Sequence, residues 1–406
     1  MQTTSPYPMI TVQEALAAIL ERAHPPTPVE VDFGQAQGLV LASDVVSHED
    51  VPPGARSAVD GYAVTAQPVS RTLRVVGELT AGHVSTEHVE PDSAMRIMTG
   101  GLLPPGAEAV VMVEDTRERD GLVEVEKPAR PGENVHPPGQ DLVRGQLVLR
   151  AGARLGPAEI GILATVGQTR VPVYPRPRVA VLATGDELVE PEQEPPPGCL
   201  RDSNRFALMA AAREAGAEVV WHGHGRDERA ALERLVREAL DVADVLITSG
   251  GVSMGTRDLI KPLLADLGEV HFGRIAFKPG KPLTFVTIGR KLAFGLPGYP
   301  VSSLVTFEVF VRPALLKLQA LGVVQRPRVT VELERDLRPD RIRLEYQRAV
   351  VRWQGDRLVA APTGVQSSSR LMSMIGANAL LEIEPDEETL QAGSRVPALL
   401  TGDLLS

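Results

Sequence analysis

Thr248-Ser-Gly-Gly-Val-Ser-Met-Gly-Thr-Arg-Asp258 is the stretch on which the fold turns. The run into it, Ala243-Asp-Val-Leu-Ile-Thr248, is short, apolar and β-rich, the pattern of a buried parallel strand. Gly250-Gly251 lets the backbone turn sharply and bring N–H groups close to a ligand. Asp258-Leu-Ile-Lys-Pro-Leu-Leu then reads as the start of a helix. In an open α/β sheet, ligands bind at such strand–loop–helix corners. A nest of N–H groups beside a helix N-terminus favours phosphate. A turn that merely reverses the chain has the same local pattern, so the flanks must decide.

Working outward, the chain alternates strand and helix from Arg178 onward. Val179–Ala183, Glu218–Trp221 and Val245–Thr248 read as strands, and Phe206–Glu214 and Glu228–Asp241 as helices. Repeated β-α-β order predicts a mostly parallel, doubly wound sheet. Leu283–Ile288 and Lys291–Leu296 predict a hairpin at its margin, and Pro300 opens a last helix to about Leu318 that Pro313 can kink. Pro172-Val-Tyr-Pro-Arg-Pro177 is a stiff joint before this domain. After Pro327 the alternation ends, and Val329–Leu333, Gln347–Trp353 and Leu380–Ile383 predict a small β-barrel-like domain.

At the other end, Thr11-Val-Gln-Glu14 is a capping-box pattern that opens a helix with Val12, Leu16, Ile19 and Leu20 on one face. The expected packing partner is the helical segment Gly156–Gly167. That pairing makes residues 6–50 and 142–176 a discontinuous helical linker domain and residues 51–141 an inserted all-β lobe. The α/β domain spans 177–325 and the C-terminal β domain 326–406.

The 406 residues are 43% hydrophobic and suffice for about two to four domains. No long apolar run and no signal-peptide pattern is present, so no membrane is expected. One cysteine, Cys199, rules out an internal disulfide and suits a reducing cytoplasm. A net charge of −10 argues against a nucleic-acid partner. No zinc, P-loop or Ser-His-Asp signature occurs, and the spacing of His222 and His224 does not suggest metal ligation.

Several carboxylates sit in turns: Asp60, Asp141, Glu187, Asp227 and Asp258. Turn and cap duty explains each by itself. Glu187 and Asp258 both follow sheet strands, and grouped near a phosphate nest they suit Mg²⁺. Lys278-Pro-Gly-Lys-Pro282 places two ammonium groups, Lys278 and Lys281, around a rigid turn suited to an oxyanion. Gly295-Leu-Pro-Gly-Tyr-Pro300 is a stiff loop with main-chain groups available, and Thr99 supplies a hydroxyl in Arg96-Ile-Met-Thr-Gly-Gly101.

Together these segments resemble the molybdopterin molybdenumtransferase family, which includes the E domain of gephyrin. The likeness is carried by Ser57-Ala-Val-Asp-Gly-Tyr-Ala63, Met98-Thr-Gly-Gly101, Leu103–Val111, Gly132-Glu-Asn-Val135 through Gly139-Gln-Asp141, and Ala183-Thr-Gly-Asp-Glu-Leu188. Asp202-Ser-Asn204, Thr248–Asp258, Lys278–Pro282 and Leu296-Pro-Gly298 continue it, so it runs nearly the whole chain in order. The resemblance implies that 177–325 is a molybdopterin-binding fold in an elongated cytoplasmic homodimer. Its active site would lie between that domain, the β lobe and the partner subunit.

The implied reaction inserts molybdenum from molybdate into adenylylated molybdopterin, with Mg²⁺-dependent release of AMP. An upstream adenylyltransferase would be a further partner. By similarity Asp60, Thr99, Asp141, Glu187, Asp227, Asp258, Lys278, Lys281, Pro297, Pro300 and Ser368 are functional positions. Thr184, Gly250, Gly251 and Ser253 would hold pterin or phosphate, and Glu187 and Asp258 the metal. The alternatives are a molybdopterin adenylyltransferase and a non-catalytic scaffold. Three positions depart from the family pattern: Tyr299 replaces an Asn, Ser367 a Gly, and Val59 a Met.

Overall fold

The computed structural model describes residues 7–68, 70–251 and 259–404. Its contacts divide the chain into two compact units: Met1–Val29 with Gly38–Val40 and Val173–Ser406, and Glu30–Gln37 with Leu41–Pro172.

The first unit begins with helix α1, Val12–Arg22. The capping box is formed: the Thr11 Oγ1 accepts from the Glu14 N–H at 3.2 Å, and Glu14 Oε2 accepts from the Thr11 N–H at 2.8 Å. The α/β domain then runs β1 (Arg178–Thr184), α2 (Asn204–Glu214), β2 (Glu218–Gly225), α3 (Arg229–Val242) and β3 (Val245–Ser249). It continues with α4 (Ile260–Leu267), β4 (Glu269–Phe272), β5 (Thr284–Ile288) and β6 (Lys291–Leu296). The helix α5 (Pro300–Thr306) leads through a π-turn (Phe307–Val311) into α6 (Arg312–Leu318).

The sheet order is β2-β1-β3-β6-β5-β4. The first four strands are parallel, and β5 and β4 close the edge antiparallel. Alternate residues of β1 face opposite cores, as the two-residue strand period requires. Val179 and Val181 join α1, α2, α5 and α6 on one face, while Ala180 and Leu182 join α3 and α4 on the other. Burial on both faces explains why these strands read as continuous apolar runs. The predicted hairpin of β5 and β6 is present, but β6 pairs directly with β3 inside the sheet; the edge is β4, a strand the pattern did not show.

Pro313 does not break the last helix. It has no N–H to bond Val309, and its ring would crowd that carbonyl. The wider π-turn ends just before it and carries the chain through without an interruption.

The packing partner of α1 differs from the expectation. Val12, Ala15, Ile19 and Ala23 enter the core that holds Phe272, Val309 and Leu315, and α1 packs on the π-turn and α6. Backbone pairing explains why. Ile10 bridges Ile275, its carbonyl accepting from the Ala276 N–H at 2.8 Å, so the chain is already pinned to this domain before the helix starts. The helix Pro157–Thr165 instead packs within the second unit, on the turn Phe33–Gln35.

The C-terminal strands β7 (Arg328–Leu333), β8 (Leu344–Gln354), β9 (Arg357–Pro362), β10 (Ala379–Ile383) and β11 (Arg395–Leu400) close a five-stranded barrel, because β8 pairs with both β9 and β10. Its interior holds Val331, Val351, Ala360, Leu381, Val396 and Ala398. The two-residue strand Phe277–Lys278 pairs parallel with Leu344–Glu345 of β8 and fastens the lysine turn to the barrel.

The second unit holds a six-stranded sheet between residues 61 and 125, antiparallel except where Thr72–Leu79 runs parallel to Ser93–Ile97. Tyr62, Leu73 and Val111 fill one side, and Ala63, Met95 and Val110 the other. No helix among the described residues is long and apolar enough to cross a membrane.

Candidate active site

The parallel strands β1 and β3 lie side by side and end together, so Thr184 and Ser249-Gly250-Gly251 meet at one sheet edge. Gly250 has φ +94° and Gly251 φ +64°, the region open to glycine. A Cβ at Gly250 would fall 2.5 Å from the Thr184 carbonyl oxygen, and one at Gly251 would fall 2.9 Å from the Ile260 side chain. Both glycines are therefore required by close approach. The Thr184 Oγ1 is buried here and has no hydrogen-bond partner among the described residues. A buried hydroxyl left unbonded favours a ligand that bonds it.

Around this corner lies a cleft of about 850 Å³. Glu187 and Asp227 line it from the ends of β1 and β2. The two loops are tied together: the Gly185 N–H donates to the Gly225 carbonyl at 3.2 Å, and the Asp227 N–H to Asp186 Oδ1 at 3.1 Å. The His224 ring bonds the Gly185 carbonyl at 3.0 Å, a further tie between the two loops. Ser253 and Asp258 lie outside the described residues.

On the far wall stand Pro297, Gly298, Tyr299 and Pro300. Asn204 locks this loop, donating through Nδ2 to Ser249 Oγ at 2.8 Å and to the Gly298 carbonyl at 2.7 Å. Both amide hydrogens are used, which leaves Oδ1 as an acceptor at the cleft wall. Beneath it the buried Arg205 pairs with Asp202 at 2.9 Å and with Glu190 at 2.5 Å, holding the long loop between β1 and α2.

The barrel supplies a third wall. Arg348, on β8, is fully buried, and its guanidinium donates to Ser373 Oγ at 3.0 and 3.1 Å and to the Ser367 carbonyl at 3.3 Å. Burial pushes its guanidinium down to about 10. The loop it holds presents Ser369 to the cleft, while Ser368 contributes its carbonyl, which accepts from the Val301 N–H at 3.1 Å. Arg348→Met removes these bonds, although Ser373 Oγ still donates to the Arg370 carbonyl and the Ser367 carbonyl still accepts from the Arg370 N–H, and the expected loss in urea unfolding is about 1–3 kcal/mol.

The two lysines part company. Lys278 Nζ lies 3.1 Å from Glu345 Oε1 and 3.5 Å from Asp340 Oδ2, and the Glu345 side chain is 4% exposed. Lys281 is exposed, and its carbonyl accepts from the Ile275 N–H at 3.0 Å. Gly280 and Pro282 of the same turn line the cleft, whereas neither lysine is part of its lining. Burial raises the Asp340 carboxyl, but the N–H groups of Ile342 and Arg343 and the Arg343 guanidinium outweigh it and bring it down to about 2. A lowered folded-state value means that this stabilisation is full above about pH 4 and is lost as the pH falls towards 2. Asp340→Asn is expected to flatten the melting temperature against pH in that window.

In the second unit the Thr99 N–H and Oγ1 donate to Asp60 Oδ1 at 2.7 and 2.8 Å. These two bonds, backbone first, hold the exposed Asp60 carboxyl below its ordinary value. Thr99 and Asp141 line a separate hollow of about 550 Å³ with Arg56 and His136. The structure thus gathers Thr184, Glu187, Asp227, Gly250, Gly251, Pro297 and Pro300 in one cleft, and Asp60, Thr99 and Asp141 in another place. Asn204, Arg205 and Arg348 escaped the sequence reading as site-building residues. Asn204 stood inside a quoted motif, but nothing local marks Arg348, which sits in a strand that also carries Glu345, Gln347 and Arg352.

The sequence matches three family patterns in succession. They are described as "MoeA N-terminal region (domain I and II)" over residues 10–167, "Probable molybdopterin binding domain" over 180–317 and "MoeA C-terminal region (domain IV)" over 330–401. It is 35% identical over 395 residues to the molybdopterin molybdenumtransferase of Haemophilus influenzae, covering 96% of this chain and 98% of that protein. The chain belongs to the molybdopterin molybdenumtransferase family.

Other members of the family agree. Gephyrin of Dictyostelium discoideum is 34% identical over 98% of this chain, which spans 63% of gephyrin's length. The solved structure of a molybdopterin biosynthesis MoeA protein from Pyrococcus horikoshii is 33% identical and superposes with a TM-score of 0.84, covering 98% of this chain and 100% of that one. Family membership accounts for a molybdopterin-binding α/β domain flanked by two further regions, and the motif order read from the sequence is that of the family.

Proposed function

We propose that the chain is the enzyme that inserts molybdenum from molybdate into the dithiolene of adenylylated molybdopterin, releasing AMP. The observation that carries this reading is the cleft at the ends of β1 and β3. A left-handed Gly-Gly turn and a buried Thr184 hydroxyl with no hydrogen-bond partner among the described residues sit beside the Glu187 and Asp227 carboxylates, in a chain of this family. The turn and Thr184 would hold the phosphate end of the substrate. Asn204 Oδ1 would accept from an N–H of its heterocycle.

The donor set suits Mg²⁺. Glu187 and Asp227 offer oxygen alone, and no group of three or more His, Cys, Asp or Glu side chains converges among the described residues. Magnesium characteristically takes one or two carboxylates and completes its shell with water and substrate phosphate. Bound there, it would offset the charge that develops on the phosphate as AMP departs. Because the charge of Lys278 is already met by Glu345 and Asp340, we assign attraction of the molybdate oxyanion to Lys281 and anchoring of the turn to Lys278.

Asp60, Thr99 and Asp141 are assigned to the same reaction by their places in the family motifs. The proposal includes a cytoplasmic homodimer supplied by an upstream adenylyltransferase. An adenylyltransferase reading of this chain is less well supported, since the family patterns extend over 10–167 and 330–401, beyond the α/β domain.

The test is AMP release from adenylylated molybdopterin by the purified full chain with Mg²⁺, with and without molybdate. Molybdate-dependent release is expected. Binding without release would overturn the enzyme reading in favour of a scaffold.

A further inference from the structure

Tyr299 lines the cleft with 61% of its surface exposed. A tyrosine ring is a large apolar surface, and one buried in a fold usually finds a partner for its hydroxyl. The Tyr299 side chain has neither burial nor a hydrogen bond or ring contact among the described residues.

Its main chain, by contrast, is fixed. Pro297 and Pro300 flank it, and its carbonyl accepts from the Ser303 N–H at 2.9 Å. Asn204 clamps the preceding carbonyl, that of Gly298, at 2.7 Å. Tyr299 occupies the N-cap of α5 and makes no side-chain cap bond. Capping is done from outside the helix: the Ser368 carbonyl accepts from the first-turn N–H of Val301 at 3.1 Å. The helix therefore makes no use of this side chain. Beside it the cleft is lined by Gly250, Gly251, Gly280 and Gly298, which leave room for a flat group.

We infer that Tyr299 is a substrate-contacting residue whose ring stacks on a flat nitrogen heterocycle, the adenine or the pterin of the bound substrate. The inference rests on the proposed function for the identity of that ligand. An aromatic ring on a stem already ordered by two prolines binds at little entropic cost. Stacking on a base is worth about 5- to 150-fold in affinity when the ring is removed.

The experiment titrates the full chain with AMP alone and, separately, with molybdopterin alone, by calorimetry and without molybdate. Tyr299→Ala and Tyr299→Asn are expected to weaken one of the two probes by about 5- to 150-fold, and Tyr299→Phe to stay within about twofold of the parent. Loss confined to AMP identifies adenine as the stacked ring, and loss confined to molybdopterin identifies the pterin. Unchanged binding of both probes in Tyr299→Ala overturns the inference, as does equal loss in Tyr299→Phe, or a parent chain that binds neither. Because Tyr299 is exposed, an unaltered melting temperature should accompany each variant. Turnover is measured separately. Ring-dependent binding without molybdate-dependent AMP release would sink the insertion reading alone, and release with ring-independent binding would sink this inference alone.

Discussion

Gly250→Ala is expected to lower molybdate-dependent AMP release by at least about 100-fold, which corresponds to about 2.7 kcal/mol of lost transition-state stabilisation. Two effects add. The position has φ +94°, where an L-residue is strained by about 1–3 kcal/mol. The new Cβ would also sit 2.5 Å from the Thr184 carbonyl oxygen, which belongs to a central strand and is unable to retreat. The turn must then move, although the Gly250 N–H is held to the Leu296 carbonyl at 3.2 Å. Movement of the turn displaces the main-chain groups proposed to meet phosphate. Gly152→Ala is the control, since that glycine has φ +87° with nothing within 4 Å of an added Cβ. It should cost about 1–2 kcal/mol of stability and leave turnover in place. Equal turnover in both variants would show that the Gly250 turn is not used.

Glu187→Gln and Asp227→Asn are each expected to reduce the rate of AMP release by about 10²- to 10⁴-fold with little change in melting temperature. Glu187 is exposed and Asp227 half-buried, both beyond the ends of strands, so neither supports the core. The substitutions keep shape and remove charge. If the two carboxylates serve one bound ion, the double variant should lose far less than the sum of the single losses. Each single variant should also need at least about tenfold more Mg²⁺ for half-maximal rate. Additive losses with an unchanged Mg²⁺ requirement would separate the two roles and remove the shared ion.

Much of the fold was legible because it depends on local patterns. The β-α-β alternation follows from short apolar runs between amphipathic helices, and β1, β2, β3, β5 and β6 lie where those runs lie, with the edge strand β4 the exception. The capping box at Thr11 and Glu14 is a contact over three residues, and both of its bonds are present. Gly250-Gly251 was readable because only glycine accepts the backbone that the turn requires. In the barrel, β9 and β11 were missed: Pro362 ends the one and Pro397 sits inside the other, and proline removes a ladder donor and so argues against a strand.

What stayed hidden depends on residues far apart in the chain. An amphipathic stripe states that α1 must bury a face, and the sequence of the helix is silent on which surface receives it. The Ile10–Ile275 pairing made that choice. The lysine turn reads as a pair of equal cations until the barrel places Glu345 and Asp340 against Lys278 alone. Arg348 looks like one of several polar residues in a mixed strand until Ser367 and Ser373 close over it. The sequence by itself therefore determined the family motifs, the order of elements and the glycine turn, because these rest on contacts a few residues long. The tertiary structure alone decided which core received α1, which lysine is neutralised, how Asn204 joins three loops and where Tyr299 stands. Those outcomes are set by register and packing between segments tens to hundreds of residues apart, which no local pattern encodes.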